Sequence, residues 1–186
     1  MDVVAVKMSR AANTAPPAAG RARGDTLKAV AAEIKGSLGA AWLPTIYRER
    51  IRTQRTRAFR LGPLPKGSRV AIQHTLLGVE LKVGRRRILC PDLSTARYLA
   101  VFAHVGSAEV AVPYDITQVS RFADELESAW HRLLLLIDHR AAARTDLFRS
   151  RLRTALVGEA RKEIEAAGAG ALIPQFNQNT RQRRRQ

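Results

Sequence analysis

Arginine is the residue type whose number and spacing in this sequence indicate a chemistry. The 186-residue chain has 32 Lys and Arg against 16 Asp and Glu, and 26 of the 32 basic residues are arginines. The guanidinium group is planar and donates hydrogen bonds in a fork that fits phosphate oxygens and the edge of guanine. Because a polyanion releases counterions when it is neutralised, the net charge of +16 predicts a nucleic-acid partner.

The basic residues are concentrated in two blocks. Residues 45–90 contain 12 basic and two acidic residues, a net charge of +10, and the last 21 residues contain no acid at all. Residues 91–140, by contrast, have a net charge of −3. Codon bias in a GC-rich gene would also raise the ratio of Arg to Lys, but it explains less well why acids are missing from two particular blocks. A one-sided charge of this kind is expected if one face binds a polyanion.

The first group of candidate phosphate contacts lies in a predicted helix over residues 44–61. At 100° per residue, Tyr47, Ile51 and Ala58 form one face, and arginines flank it. The flanking residues selected as nucleic-acid contacts are Arg48, Arg52, Arg55 and Arg57. The alternative is a solvated surface helix, although like charges three and four residues apart repel each other. A helix lying on an anionic membrane is disfavoured because the apolar stripe has no Trp or Phe.

Two further groups of candidate contacts are a hairpin turn and the C-terminal tail. The turn contains Arg85, Arg86 and Arg87, and a basic meander followed by a helix can lay a sheet in a DNA groove. A charged hairpin that prevents sheet-to-sheet aggregation explains these residues equally well. In the tail, Arg181, Arg183, Arg184 and Arg185 alternate with Gln, Asn and Thr, which is typical of segments that fold onto RNA. A solubilising tail and a localisation signal remain open as alternatives.

Catalytic patterns are weaker. Glu80-Leu81-Lys82 matches one end of a metal-dependent nuclease pattern, but the nearest upstream acid is Glu49, inside the predicted arginine helix. His131 and His139 are eight residues apart, which is too far for one metal ion. Cys90 has no local histidine partner for a nucleophile pair, and one cysteine excludes an internal disulfide. We therefore predict no catalytic residues, no metal and no cofactor.

The hydrophobic pattern predicts an antiparallel sheet in the middle of the chain. Alternating apolar residues over 69–74 and 79–83, followed by 88–89 after a Gly84-Arg85 turn, predict a three-stranded meander. Residues 109–114 predict a fourth strand, and Pro113 places that strand at an edge or a strand end.

Helical periodicity predicts the rest of the fold. A short helix starts at Asp25 or Thr26, and another runs from Asp92 or Ser94 to Gly106. Two apolar stripes follow. The first consists of Phe122, Leu126, Trp130, Leu133 and Ile137; the second of Phe148, Leu152, Ala155 or Leu156, Ala160 and Ile164. They predict a helical hairpin capped by Thr145 or Asp146, or alternatively one long helix. The hairpin is favoured because residues 138–146 include no large apolar side chain.

These elements predict one α+β domain: a small antiparallel sheet of three to four strands packed with the C-terminal helical hairpin or long helix. The domain boundaries are a flexible, disordered arm over 1–24, the domain over 25–170, and a disordered arginine-rich tail over 171–186. No apolar run is long enough to span a membrane. The stripe within residues 122–137 is wide enough for a core and also for a contact between two copies of the chain.

The sequence predicts a non-catalytic nucleic-acid-binding protein, with RNA favoured over DNA because Gln, Asn and Thr are interspersed among the arginines. The alternative is an assembly component of a viral or ribosome-associated particle, whose leucine-rich helices oligomerise while its arms neutralise nucleic acid. A metal-dependent nuclease and a protein adaptor are weaker alternatives. The single cysteine and the expected partner predict an intracellular, cytoplasmic location, or the nucleoid or nucleus if the partner is DNA.

Overall fold

The computed structural model describes residues 19–64 and 69–170, with side chains from residue 26 onward. The fold is α+β, as the sequence predicts. Its helices are α1 (Ala19–Leu38), α2 (Leu43–Ile46), α3 (Leu93–Val105), α4 (Ile116–Arg140) and α5 (Asp146–Ala167). Its strands are β1 (Thr56–Arg60), β2 (Val70–Thr75), β3 (Gly78–Val83), β4 (Arg86–Cys90) and β5 (Glu109–Pro113).

The predicted meander is confirmed. Strands β2, β3 and β4 form a three-stranded antiparallel sheet in sequence order, and Ile72 lies opposite Leu81, which in turn lies opposite Ile88. Because side chains alternate across a strand, these three residues face α3, while Lys82 and its neighbour Arg87 lie on the outer face. The meander therefore has an apolar inner face and a polar outer face.

The predicted fourth strand exists, but it does not join the meander. Strand β5 pairs antiparallel with β1 in a separate two-stranded sheet, in which Ala111 lies opposite Ala58 and Val110 opposite Phe59. Pro113 is the last residue of the strand, so its missing N–H interrupts no ladder. Strand β5 is buried along residues 110–113 and lies next to α4 and α5 in the core.

The helix predicted over residues 44–61 is wrong beyond Ile51. After α2 the backbone makes a π-type turn over Tyr47–Ile51, in which the Arg52 N–H donates to the Tyr47 carbonyl at 2.9 Å. The Thr53 hydroxyl then donates to the carbonyls of Glu49 and Arg50, and such local bonds compete with helical ones. The chain becomes extended at Thr56 and forms β1.

The predicted caps of α3 and the helical hairpin are confirmed. Asp92 accepts a hydrogen bond from the Thr95 N–H at 2.8 Å, and Gly106 ends α3 with φ of 84°, a conformation that favours glycine. Helices α4 and α5 are separate, and Thr145 caps α5 by accepting from the Phe148 N–H. The prediction of a hairpin rather than one long helix is therefore correct.

The core lies where the five helices meet the two sheets. The stripe of α4 is buried there, as are the α5 residues Leu152, Leu156, Ala160 and Ile164. Phe122, Leu126, Trp130, Leu133 and Ile137 are each at most 5% exposed. One chain therefore buries this stripe in its own core, while Leu135 of the same helix is exposed. A contact between two copies through residues 122–137 stays a prediction.

The N-terminal helix starts inside the segment predicted as an arm, and the predicted domain boundaries stay predictions. Helix α1 begins at Ala19, six residues before the expected start of the domain at residue 25. Residues 1–18 of that arm, and the whole predicted tail over 171–186, lie outside the described residues. Within the described ranges, no helix combines the length and the apolar composition needed to cross a membrane.

Candidate nucleic-acid interface

The four arginines selected in residues 48–57 do not share a helical face, because the helix ends at Ile51. Arg52 has a structural role: its Nε donates to the Ala167 carbonyl at 3.1 Å and its Nη1 donates to the Thr56 hydroxyl at 3.3 Å. A cation at the last carbonyls of α5 also stabilises the negative end of the helix dipole. The Arg52 guanidinium therefore uses its Nε and Nη1 donors in hydrogen bonds within the fold.

The other three arginines of this group have separate surroundings. Arg48 is exposed and forms an ion pair with the adjacent Glu49 at 3.0 Å. Arg55 lies over the ring of Tyr114, with 5.2 Å between the guanidinium carbon and the ring centroid. Arg57 is half-buried in β1, and its Nε has no hydrogen-bond partner among the residues that the structure describes. The structure does not bring these side chains together as one phosphate-binding surface.

The second predicted group lies at the turn that connects β3 to β4. Arg85 is exposed in the two-residue turn that starts at Gly84, and Arg87 lies 3.8 Å from Glu80. The Arg86 guanidinium contacts Gly62, where any side chain would collide with it. Arg85 is therefore the freest of the three. The third group, Arg181, Arg183, Arg184 and Arg185, lies outside the described residues.

A groove that the sequence analysis did not predict contains three more arginines. Arg69, Arg153 and Arg161 line a groove of 640 Å³ between the start of β2, the end of α3 and one face of α5. None of them forms an ion pair with a described residue, and no described Asp or Glu lines the groove. We call it the arginine groove.

The arginine groove adjoins the basic hairpin. The Gly84 N–H donates to the Arg69 carbonyl at 2.8 Å, so Arg69 at the rim of the groove lies beside the turn that presents Arg85. Guanidinium groups in an arrangement without acids produce a positive field that attracts a polyanion. We call the hairpin turn with Arg85 and the adjoining arginine groove, with Arg69, Arg153 and Arg161, the basic surface.

Aromatic rings form part of the groove wall. The imidazole of His104 is stacked on Trp130, with 5.3 Å between the ring centroids and 14° between the planes. Partial burial against this ring lowers the pKa of His104 below its usual 6.5, and the positive charges of Arg153 and His131 lower it further. The lowered pKa favours the neutral imidazole at neutral pH. The residue is exposed where it lines the groove.

The other cavities and reactive groups fit a polyanion or a catalytic reaction less well. A cavity of 380 Å³ between α2 and α4 includes Glu49 and Glu125 in its wall, and Glu125 already pairs with Arg50. Burial raises the pKa of the Cys90 thiol, which disfavours the nucleophilic thiolate. Among the described residues, no three His, Cys, Asp or Glu side chains come together as metal ligands.

A scan against protein-family models finds no match for this chain, and comparisons with curated proteins and with solved structures also find none. The basic surface is therefore interpreted from its own geometry and charge.

Proposed function

We propose that the protein binds nucleic acid without catalysing a reaction on it, and that it favours RNA over DNA. The observation that supports this proposal most strongly is the arginine groove. Three guanidinium groups without ion pairs to described residues surround one groove, and no described acid opposes them. Bidentate hydrogen bonds from arginine to phosphate oxygens are strong and geometrically specific. A phosphate backbone is the ligand whose charge and repeat suit such an arrangement.

The shape of the basic surface favours a single strand over a duplex. A rigid helix can contact a rim, but only an unpaired chain can follow a groove and place bases against its wall. Single-stranded segments are the usual targets of RNA-binding proteins. An RNA partner also agrees with the intracellular location expected from the composition.

The test is fluorescence anisotropy with single-stranded RNA, duplex RNA and duplex DNA, each titrated from low to high salt. We expect the tightest binding to single-stranded RNA, with a steep fall in affinity as salt increases. A variant with Arg69→Gln and Arg85→Gln should bind more weakly. Its log–log salt slope should become shallower by about 0.7 for each phosphate group that the variant no longer neutralises.

The matched control is a variant with Arg121→Gln and Arg151→Gln. Both residues are exposed, form no ion pair with a described residue, and lie outside the arginine groove, so the change in net charge is the same. Equal falls in affinity in the two variants would show that only net charge matters and would remove the basic surface from the proposal. Absence of binding to all three ligands at physiological salt would overturn the function itself.

A further inference from the structure

The arginine groove has a composition that a purely phosphate-binding surface does not need. Its floor and walls include apolar side chains such as Leu64, Val105 and Val157, in addition to the three arginines. A ligand that fills it must therefore present both an apolar body and a negative charge. At 640 Å³ the groove is within the range of sites that bind small molecules and cofactors.

The aromatic wall of the groove is flat and already ordered. Trp130 is only 5% exposed and supports His104 on one side, while Arg153 lies over the same indole with 5.9 Å from its guanidinium carbon to the ring centroid. His104 is exposed and lines the groove, so its ring can be reached from the groove. A ring held in this way loses little entropy when another flat ring stacks on it.

The charges are placed on the α5 side of the groove. Arg153, Val157 and Arg161 are four residues apart and therefore lie on one face of α5, with Thr154 and Gly158 beside them. Gly158 leaves open space: a Cβ atom there would meet nothing within 4 Å. Two guanidinium groups on one helix face can donate to the oxygens of a phosphate group. The Thr154 hydroxyl is not counted as a donor, because it donates to the Ser150 carbonyl at 2.9 Å.

We propose that the arginine groove takes one unpaired nucleotide, with its base stacked on His104 and its phosphate bound by Arg153 and Arg161. The apolar wall alone would suit a fatty acid, but an acyl chain gains nothing from a flat aromatic platform. Inorganic phosphate would use the arginines and leave the platform empty. A nucleotide would use both the arginines and the aromatic platform. The inference deepens the proposed function, because the nucleotide would be one unit of the bound strand, but it can be tested without any polymer.

The experiment is isothermal titration of the full chain with adenosine 5′-monophosphate, ribose 5-phosphate and inorganic phosphate. Stacking of a base on an aromatic side chain favours binding on the order of tenfold. We therefore expect adenosine 5′-monophosphate to bind about tenfold more tightly than ribose 5-phosphate. The variant His104→Ala should abolish that preference, and His104→Phe, which keeps a flat ring, should restore it. Arg161→Gln should weaken both ligands by the same factor.

The matched control is Arg151→Gln, which removes an exposed arginine from the same helix outside the groove and should leave all three affinities unchanged. Thermal unfolding of each variant shows whether it is folded, and the His104→Phe variant keeps the test valid if the alanine variant is not. Equal binding of adenosine 5′-monophosphate and ribose 5-phosphate, or a preference that survives His104→Ala, would overturn the inference.

The same proteins, tested with a single-stranded RNA, separate this inference from the proposed function. If the RNA binds and its affinity is the same in His104→Ala, the proposed function stands and the nucleotide site is wrong. If the mononucleotide shows the expected preference and no RNA binds, the site is right and the proposed function is wrong.

Discussion

At the scale of the residue, His104 shows how one side chain can serve both stability and binding. Its ring is packed against Trp130, and the positive groups that face it are Arg153 and His131, with Arg69 and Arg161 lining the same groove. An imidazolium would lose water and meet like charges there, so the folded protein holds the neutral form. The pKa of His104 is lowered for these two reasons, and burial is the larger.

This lowered pKa predicts a loss of stability in acid. The unfolded chain takes up a proton near pH 6.5, whereas the folded chain does so only at a lower pH. The stability contributed by neutral His104 is therefore present above pH 6.5 and is lost as the pH falls through the folded value. When urea unfolding is followed from about pH 7.5 downward through the acid range, the wild type should lose more free energy of unfolding than His104→Gln. His74→Gln, which removes an exposed strand histidine outside the groove, is the control.

At the scale of the element, helix α5 contains a glycine that lowers the stability of the helix. Gly158 lies near the middle of this 22-residue helix, and glycine destabilises a helix interior by about 0.5–1 kcal/mol relative to alanine. No packing contact requires it, because a Cβ atom would meet nothing within 4 Å. The space that the missing side chain leaves belongs to the arginine groove. We infer that the glycine keeps the groove open.

The expected result for Gly158→Ala is therefore a gain in one property and a loss in another. The free energy of unfolding should rise by about 0.5–1 kcal/mol, and the affinity for single-stranded RNA should fall. Gly36→Ala is the matched control, because Gly36 is also helical with nothing within 4 Å and lies outside the groove. It should raise stability without changing affinity. Urea unfolding and anisotropy measure the two effects, and unchanged RNA affinity in Gly158→Ala would contradict this role.

The elements differ in how well the sequence predicts them, and the reasons are physical. The meander could be predicted because Val79, Leu81 and Val83 alternate without interruption next to a glycine turn. The helix over 44–61 is wrong because Tyr47 and Ile51 fit a helical period that the residues after them do not continue. The strand Thr56–Arg60 has no clear alternation to predict it, since Thr56 is buried, the next three residues are half-buried and Arg60 is exposed. The local propensity of residues 56–60 does not decide between helix and strand. Pairing with the partner strand β5 does.

The arginine groove could not be predicted in the same way, because its wall comes from separate parts of the chain. Arg69 precedes β2, His104 lies at the end of α3, Trp130 in α4 and Arg153 in α5. Periodicity within one element does not show which elements become neighbours. One local signal is present in the sequence, namely Arg153 and Arg161 on the same helix face as a glycine. The amount of positive charge is therefore readable from the sequence, whereas its location in the fold is not.

At the scale of the whole molecule, the N-terminal helices hold the C-terminal helix in place. Lys35 of α1 donates to Glu159 and Glu163 of α5, each at 2.6 Å, and the Trp42 indole donates to Glu163 at 3.1 Å. Tyr47 accepts from the Ala111 N–H and donates to the Gly168 carbonyl at 2.7 Å. These contacts join residues that are far apart in the sequence and fix the helix that carries one side of the groove.

The contact of Lys35 with Glu159 and Glu163 predicts how the stability of the fold changes between neutral and high pH. Hydrogen bonds to Glu159 and Glu163 raise the pKa of Lys35 above its usual 10.5, so the stability that the contact contributes is present below pH 10.5. That stability is lost as the pH rises through the folded value. Glu163→Gln should lower the free energy of unfolding by about 1 kcal/mol at neutral pH, a small effect because the pair is partly exposed.

The control is Glu165→Gln, because Glu165 lies two residues away in the same helix and is exposed. Urea unfolding at neutral pH should separate the two variants, and unfolding above pH 10.5 should bring them together as Lys35 loses its proton. A difference that stays constant across this range would show that Glu163 acts through Trp42 alone. The contact between α1 and α5 would then depend on a hydrogen bond without an ion pair, and salt would not weaken it. If the ion pair is the cause of the difference between the two variants, added salt and high pH should both weaken the contact between α1 and α5. Each of them reduces the attraction between Lys35 and Glu163.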